Sequence, residues 1–189
     1  MKEVYEVLMH IGEDMMEPVG YLPLGIMAGA AYLAIYGAWK RICGNQGKQT
    51  GDGGRCPEGK WLRTLCVIYG TVILYLAFFS REPGSRTGID LMLFETWKDS
   101  AASKAYVIEN ILMFIPFGIL LPAAFPRFRA GTRCTAAGMV SSIGLEFAQL
   151  MTKRGHCQLD DVVMNTLGAW IGWMVYRALK NRYLSYTEK

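Results

Sequence analysis

Histidine and cysteine are scarce and scattered in this chain of 189 residues: it has two of the former and five of the latter. His10 and His156 stand far apart, and Cys43, Cys56, Cys66, Cys134 and Cys157 form no Cys-x-x-Cys pair. No metal set and no cofactor motif is therefore expected, and an odd cysteine number gives no disulfide framework. A basic start followed by an apolar run is also missing, because the first 17 residues carry five carboxylates, so no cleavable leader is expected. The glycine-rich stretch 43–60 contains GDGG but lacks the lysine and the preceding strand of a phosphate loop, and it reads as a flexible linker. No internal repeat is visible. Charged residues make up only 19% of the chain.

What the chain has in quantity is apolar sequence, 52% of its residues. Uncharged runs span Pro18–Trp39, Thr64–Ser80, Asn110–Pro126 and Val162–Tyr176, while Cys134–Thr152 contains the single charge of Glu146. At ~1.5 Å of rise per residue, each run approaches the ~30 Å of a hydrocarbon core. The expected fold is all-α, a polytopic membrane bundle of about five transmembrane helices. This excludes a soluble enzyme, a secreted disulfide scaffold and a disordered chain.

Lysine and arginine set the orientation, because their excess lies on the cytoplasmic side. Of the 20, seven fall in the N-terminal tail and in loops 80–109 and 151–161, and thirteen fall in the alternate loops and the C-terminal tail. The N-terminus is thus expected outside and the C-terminus in the cytoplasm of a bacterial cell membrane. The net charge of +4 borders the spans and suits anionic lipid, with no nucleic-acid role implied. Residues 1–17 read as an acidic outer tail with a short amphipathic helix through Val4, Val7, Leu8 and Ile11. In loop 80–109, Ile89, Met92, Leu93 and Trp97 suggest an interfacial helix. Three segments follow: 1–61, with the tail, first span and linker; 62–177, a four-helix membrane domain; and 178–189, a basic cytoplasmic tail.

Polar residues inside apolar spans carry the functional signal, since each is costly without a partner. Glu146 and Gln149 lie one turn apart on the fourth span. Asp161, Asn165, Gly168 and Gly172 share one face of the fifth, and Asn165 falls near the depth of Glu146. Asn110 opens the third span, Arg81 closes the second, and Arg154, His156 and Asp160 lie in the loop above. Each also has a plainer reading: Glu146 with Gln149 as a hydrogen-bonding pair between helices, Asp160 and Asp161 as a helix start, and Pro116 as a kink. Gly168 and Gly172 offer a close-packing face, to a neighbouring helix or to a second copy of the chain.

The segments ENILMFIPFGILLP at 109–122 and GLEFAQLMTKRGHCQLDDVVMNTLGAWIGW at 144–173 resemble the VanZ-like family of bacterial membrane proteins, named for a teicoplanin-resistance protein. The matching positions are Asn110, Pro116, Phe117, Gly118, Glu146, Gln149, Arg154, Gly155, Asp160, Asp161, Asn165 and Gly168. The resemblance covers residues 62 to 177. Gln158 stands where an acidic residue is usual, and Leu93 where proline is frequent. The resemblance implies an envelope protein associated, in one member, with reduced susceptibility to a lipoglycopeptide antibiotic.

Three functional classes compete. The leading one is a non-enzymatic membrane protein that binds or shields a lipid-linked cell-wall precursor or a lipoglycopeptide at the outer leaflet. In it, Arg81 and Arg154 serve as phosphate or carboxylate partners, and Asn110, Glu146, Gln149, Asp160, Asp161 and Asn165 complete the site. The second is an enzyme acting on an envelope lipid, with Glu146 or Asp161 as general base and His156 as proton shuttle. A transporter comes third, disfavoured because five helices without a repeat offer few mid-membrane polar groups.

Overall fold

The computed structural model describes residues 2–14, 16–44, 58–79, 89–90, 100–154 and 157–187. Among these, helix dominates: α1 (Lys2–Asp14), the single turn α2 (Glu17–Gly20), α3 (Leu22–Gly44), α4 (Glu58–Leu74), α5 (Ala101–Ala124), α6 (Gly131–Met151) and α7 (Leu159–Thr187). α4 runs directly into a π-helical turn, Tyr75–Phe79, and a 3-10 turn, Pro126–Phe128, links α5 to α6. A short extended pairing joins β1 (Ile89–Asp90) in parallel to β2 (Cys157–Gln158). The protein is an all-α helical bundle.

The greater part of each of the five apolar runs is helical, because in an apolar phase a helix bonds its backbone groups within its own segment. Three helices are long and apolar enough to cross a membrane: Leu22–Arg41, Gly59–Phe78 and Ala101–Ala124. α6 and α7, with 21 and 29 residues, have the length, about 31 and 43 Å. Their serine, threonine, glycine and charged residues make them less apolar. The surface is inverted relative to a water-soluble domain. Ile26, Met27, Ile35, Val140 and Phe147 are exposed, whereas Ser142, Glu146, Gln149, Asp160 and Asn165 are buried. Lipid tails are as apolar as leucine and give large apolar side chains no cause to turn inward, while polar ones gain by facing each other.

α5 and α7 form the closest pair. A side-chain carbon at Gly168 would collide with the carbonyl of Ile111, one at Gly172 with that of Ile115, and one at Gly118 with that of Ala169. Three glycines thus bring two backbones into direct contact, with Phe114 and Ala169 sealed between them at 1% and 0% exposure. The Gly168–Gly172 face is therefore filled by α5 of the same chain. α3 repeats the device against α4: a Cβ at Gly25 would lie 2.9 Å from the Ile68 carbonyl oxygen, and one at Gly29 would strike the Ile68 side chain. α1 packs on α5. It forms the helix anticipated in the N-terminal segment, with Val7 and Ile11 half-buried and Val4 and Leu8 exposed.

One further expectation is revised. Ile89 pairs as a strand with Cys157 where an interfacial helix was expected from its spacing, and residues 91–99, including Trp97, lie outside the described residues. Beyond residue 177 the chain continues as helix through Thr187, because Ala178-Leu179-Lys180 and the residues after it contain no glycine or proline to stop it.

Gly168→Ala and Gly172→Ala should each lower stability by about 1–3 kcal/mol, since the added carbon meets a backbone that cannot rotate away. Gly144, whose Cβ would meet nothing within 4 Å, should accept alanine without loss. Thermal unfolding of purified protein in detergent distinguishes the two cases.

Candidate functional site

Close contact of α5 and α7 sets the third turn of α5 beside the first turn of α7, at the end of the bundle where α4 and α6 finish. Asn110 of α5 donates from Nδ2 to Asp161 Oδ1 of α7 at 2.7 Å. Asp160 and Asp161 occupy the first turn of α7, where the positive end of the helix dipole favours carboxylates. One turn deeper, Asn165 Nδ2 meets Ser142 Oγ of α6 at 2.9 Å. Asn165 thus pairs below Glu146 and not with it. Glu146 instead accepts from the backbone N–H of Gln158 at 3.0 Å, tying α6 to the strand that precedes α7.

The end of α4 supplies the third wall. Helices finish with carbonyls that have no intrahelical donor, and the π turn re-aims those of Ala77 and Phe78 toward α6. Gln149 Nε2 donates to the Ala77 carbonyl at 2.6 Å, and Arg154 Nη1 to the Phe78 carbonyl at 3.0 Å. The Arg154 guanidinium also stacks over the Phe78 ring, 5.0 Å from its centroid. Arg154 reaches back because Lys153 adopts the left-handed conformation, with φ of 55°, which ends α6 where glycine would be usual. The Arg154 N–H then bonds the Gln149 carbonyl at 2.9 Å.

These elements enclose a cavity of about 560 Å³. Of the residues singled out from sequence, Asn110, Glu146, Gln149, Arg154, Asp161 and Asn165 line it. Asp160 is buried, 3% exposed, without lining it. Arg81 and His156 lie outside the described residues. The lining also includes residues that the sequence did not single out, among them Tyr69, Glu109, and Asp14, Glu17 and Pro18 from the N-terminal segment. Tyr69 donates its hydroxyl to the Met113 carbonyl, bracing α4 on α5. Glu109 was passed over because counting uncharged runs starts the third span at Asn110. α5 in fact begins at Ala101, capped by Ser100 accepting from the Ser103 N–H, so Glu109 stands inside the helix.

The cavity is amphiphilic. Val72, Ile73, Leu76, Leu112 and Met113 form an apolar side opposite the carboxylates and amides. Three of its lining residues also carry a fully buried oxygen without a hydrogen-bond partner among the described residues: Glu109 Oε1, Gln149 Oε1 and Asn165 Oδ1. The Gln149 orientation follows from its neighbour: a carbonyl accepts, so the atom facing Ala77 is the amide nitrogen and the opposite atom is an acceptor. Among the described residues no group of three or more histidine, cysteine or acidic side chains could hold a metal ion.

In an Asn110→Ala/Asp161→Ala double-mutant cycle, the coupling should be about 0.6 kcal/mol and no more than ~1.7 kcal/mol, the range of hydrogen bonds between membrane helices. A value near zero would detach this pair from the packing of α5 on α7.

Comparison with known proteins bears on what this cavity serves. The VanZ/LLP1 family model matches residues 66–180. Protein VanZ of Enterococcus faecium is 32% identical over 85 residues, which are 42% of this chain and 48% of that protein. The match therefore spans about half the length of that relative. No solved structure matches.

Proposed function

The chain belongs to the VanZ-like family, and on that premise we propose that it is a multi-pass protein of a bacterial cell membrane that binds or shields an amphiphilic molecule at the outer leaflet. A lipoglycopeptide such as teicoplanin, or a lipid-linked cell-wall precursor, has the required combination of an apolar chain and a polar head. The observation that carries this reading is the cavity, lined by apolar side chains of α4 and α5 and by polar ones of α5, α6 and α7. A membrane protein that buries Glu146 and Gln149 at 4% and 3% exposure meets a desolvation cost that a ligand site explains. Arg154 holds the end of α4 through Phe78, so its role is to keep the rim closed around a ligand as well as to meet an anionic group, with Arg81 as its expected companion.

In this topology all five long helices span the membrane, the N-terminus lies outside and the cavity opens toward the outer leaflet, in accord with the basic residues concentrated at the other end. Cysteines placed singly at Glu6 and Lys180 in a cysteine-free background should separate cleanly: an impermeant maleimide added to intact cells labels the first and not the second. Labelling of the second alone would invert the orientation.

Function is tested by teicoplanin susceptibility in a sensitive Gram-positive host at equal membrane levels. The parent should raise the inhibitory concentration, and Glu146→Gln and Arg154→Ala should abolish the gain. Protection retained by both variants would exclude the cavity from the effect.

A catalytic reading has one favourable observation, that Glu146 and Asp161 line the same cavity. Both carboxylates accept amide N–H donors from neighbouring elements, which suits holding the walls in place. Turnover of a lipid-linked precursor by purified protein, lost in Glu146→Gln, would establish catalysis instead.

A further inference from the structure

A second open space lies at the other end of the bundle, where α6 begins and α7 leaves its apolar run. It is a groove of about 900 Å³ along the seam between the two helices. Arg129, Arg177 and Lys180 line it at one end, and among the described residues no carboxylate does. Farther into the bundle the lining comes from Ala136 and Met139 of α6 and Trp170 of α7. Met139 and Trp170 are 42% and 43% exposed, so this apolar wall is open to whatever surrounds the protein. The hydroxyls nearby add little polarity to it. Thr166 donates to the Val162 carbonyl at 2.7 Å, and the Thr135 oxygen is fully buried.

Trp173 stands between the charged and the apolar part. Its indole Nε1 donates to the Arg129 carbonyl at 2.9 Å, and a Cβ at Gly131 would lie 2.8 Å from its ring. The ring is thereby held on the first turn of α6. The Arg177 guanidinium lies over the same ring, 5.5 Å from its centroid, which restrains a charge that would otherwise range freely. Lys180 follows one turn later and so lies on the same side of α7. From Lys180 to Trp170 is about 15 Å along the helix. A molecule lying in the groove therefore meets cations at one end and apolar side chains at the other. A phosphate accepts hydrogen bonds from guanidinium and ammonium groups. A head group with an ammonium of its own would bring a further positive charge to three cations with no lining carboxylate to receive it.

We infer that the groove between α6 and α7 binds an anionic phospholipid, its phosphate held by Arg129, Arg177 and Lys180 and an acyl chain laid against Met139 and Trp170. In the topology proposed above this is a lipid of the inner leaflet. No described residue lines both the groove and the cavity, so lipid occupancy here is independent of what the cavity takes.

Native mass spectrometry of the purified chain in neutral detergent, with equimolar dioleoylphosphatidylglycerol and dioleoylphosphatidylcholine, counts the lipids retained. One phosphatidylglycerol should stay bound in preference to phosphatidylcholine. Arg177→Gln/Lys180→Gln should weaken its retention about 25-fold, or about fivefold for each basic residue. Arg129→Gln, which keeps the backbone carbonyl that holds Trp173, should cost about fivefold and gives a second variant should the double one not fold. Arg127→Gln/Arg133→Gln removes two charges from the same end of the bundle but outside the groove, and should leave retention unchanged. Ala136→Trp, at an exposed position, fills the apolar part with every charge in place and should expel the lipid. Equal loss in the two double variants, or equal retention of the two lipids, would overturn the inference by reducing it to general surface charge. Undiminished retention in Ala136→Trp, or displacement of the lipid by an equal concentration of glycerol 3-phosphate, would overturn it in favour of a soluble phosphate. Lipid-free dimers that vanish with Ala136→Trp would overturn it by giving the groove to a second copy of the chain.

Discussion

Direct contact between the backbones of α5 and α7 is the constraint from which the rest of this structure follows. Lipid offers no hydrophobic force to hold two apolar helices together, so association depends on fit and on buried polar contacts. Gly118, Gly168 and Gly172 remove the side chains that would keep the axes apart. Once the helices touch along the deeper part of their length, the register is set by main-chain shape. Asn110 and Asp161 then meet at the end of the same interface. Their bond is therefore a consequence of the glycine contact as much as a cause of it.

The remaining walls are attached by a different device, the satisfaction of helix-end groups. α4 ends in a π turn with carbonyls that need donors, and α6 answers with an amide and a guanidinium from residues five apart, Gln149 and Arg154. α6 is held to α7 through Ser142 with Asn165, and to the strand before α7 through Glu146. Polar residues at this end thus perform two tasks at once. The amide nitrogens of Gln149 and Asn165 tie helices together, while other atoms of the same residues line the cavity. Bundle and site are built from the same side chains.

Much of this was legible in the sequence because the signals were local. Uncharged runs mark helices, and the four, three, four spacing of Asp161, Asn165, Gly168 and Gly172 places them on one face, which in the structure turns toward α5 and α6. What was not legible depends on rotation and neighbours. Glu146 and Asn165 were expected near one depth, yet antiparallel packing gives Asn165 to Ser142, one turn deeper on α6, whose hydroxyl carries no distinctive sequence signal. Glu109 was lost to the assumption that a charge ends a span, whereas the helix starts two turns earlier. The Ala77 and Phe78 carbonyls are backbone atoms in a π turn, a feature that composition does not encode. The glycines of α7 were read as a close-packing face with a second copy of the chain as a further possibility, and only the structure shows that α5 lies against them.

The N-terminal segment adds a separate consideration. Asp14, Glu17 and Pro18 form part of the cavity wall, although they precede the matched region at 66–180 and are joined to it in sequence through a glycine-rich linker. The chamber is thus composite: its hydrogen-bonded amides and Arg154 come from the shared domain, and one of its panels, with Asp14 and Glu17, comes from an accessory piece. Two proteins with the same domain and different accessory pieces would keep the same binding chemistry but admit molecules of different girth. Exchange of that panel is a route by which specificity can diverge without any change in the residues that make the hydrogen bonds.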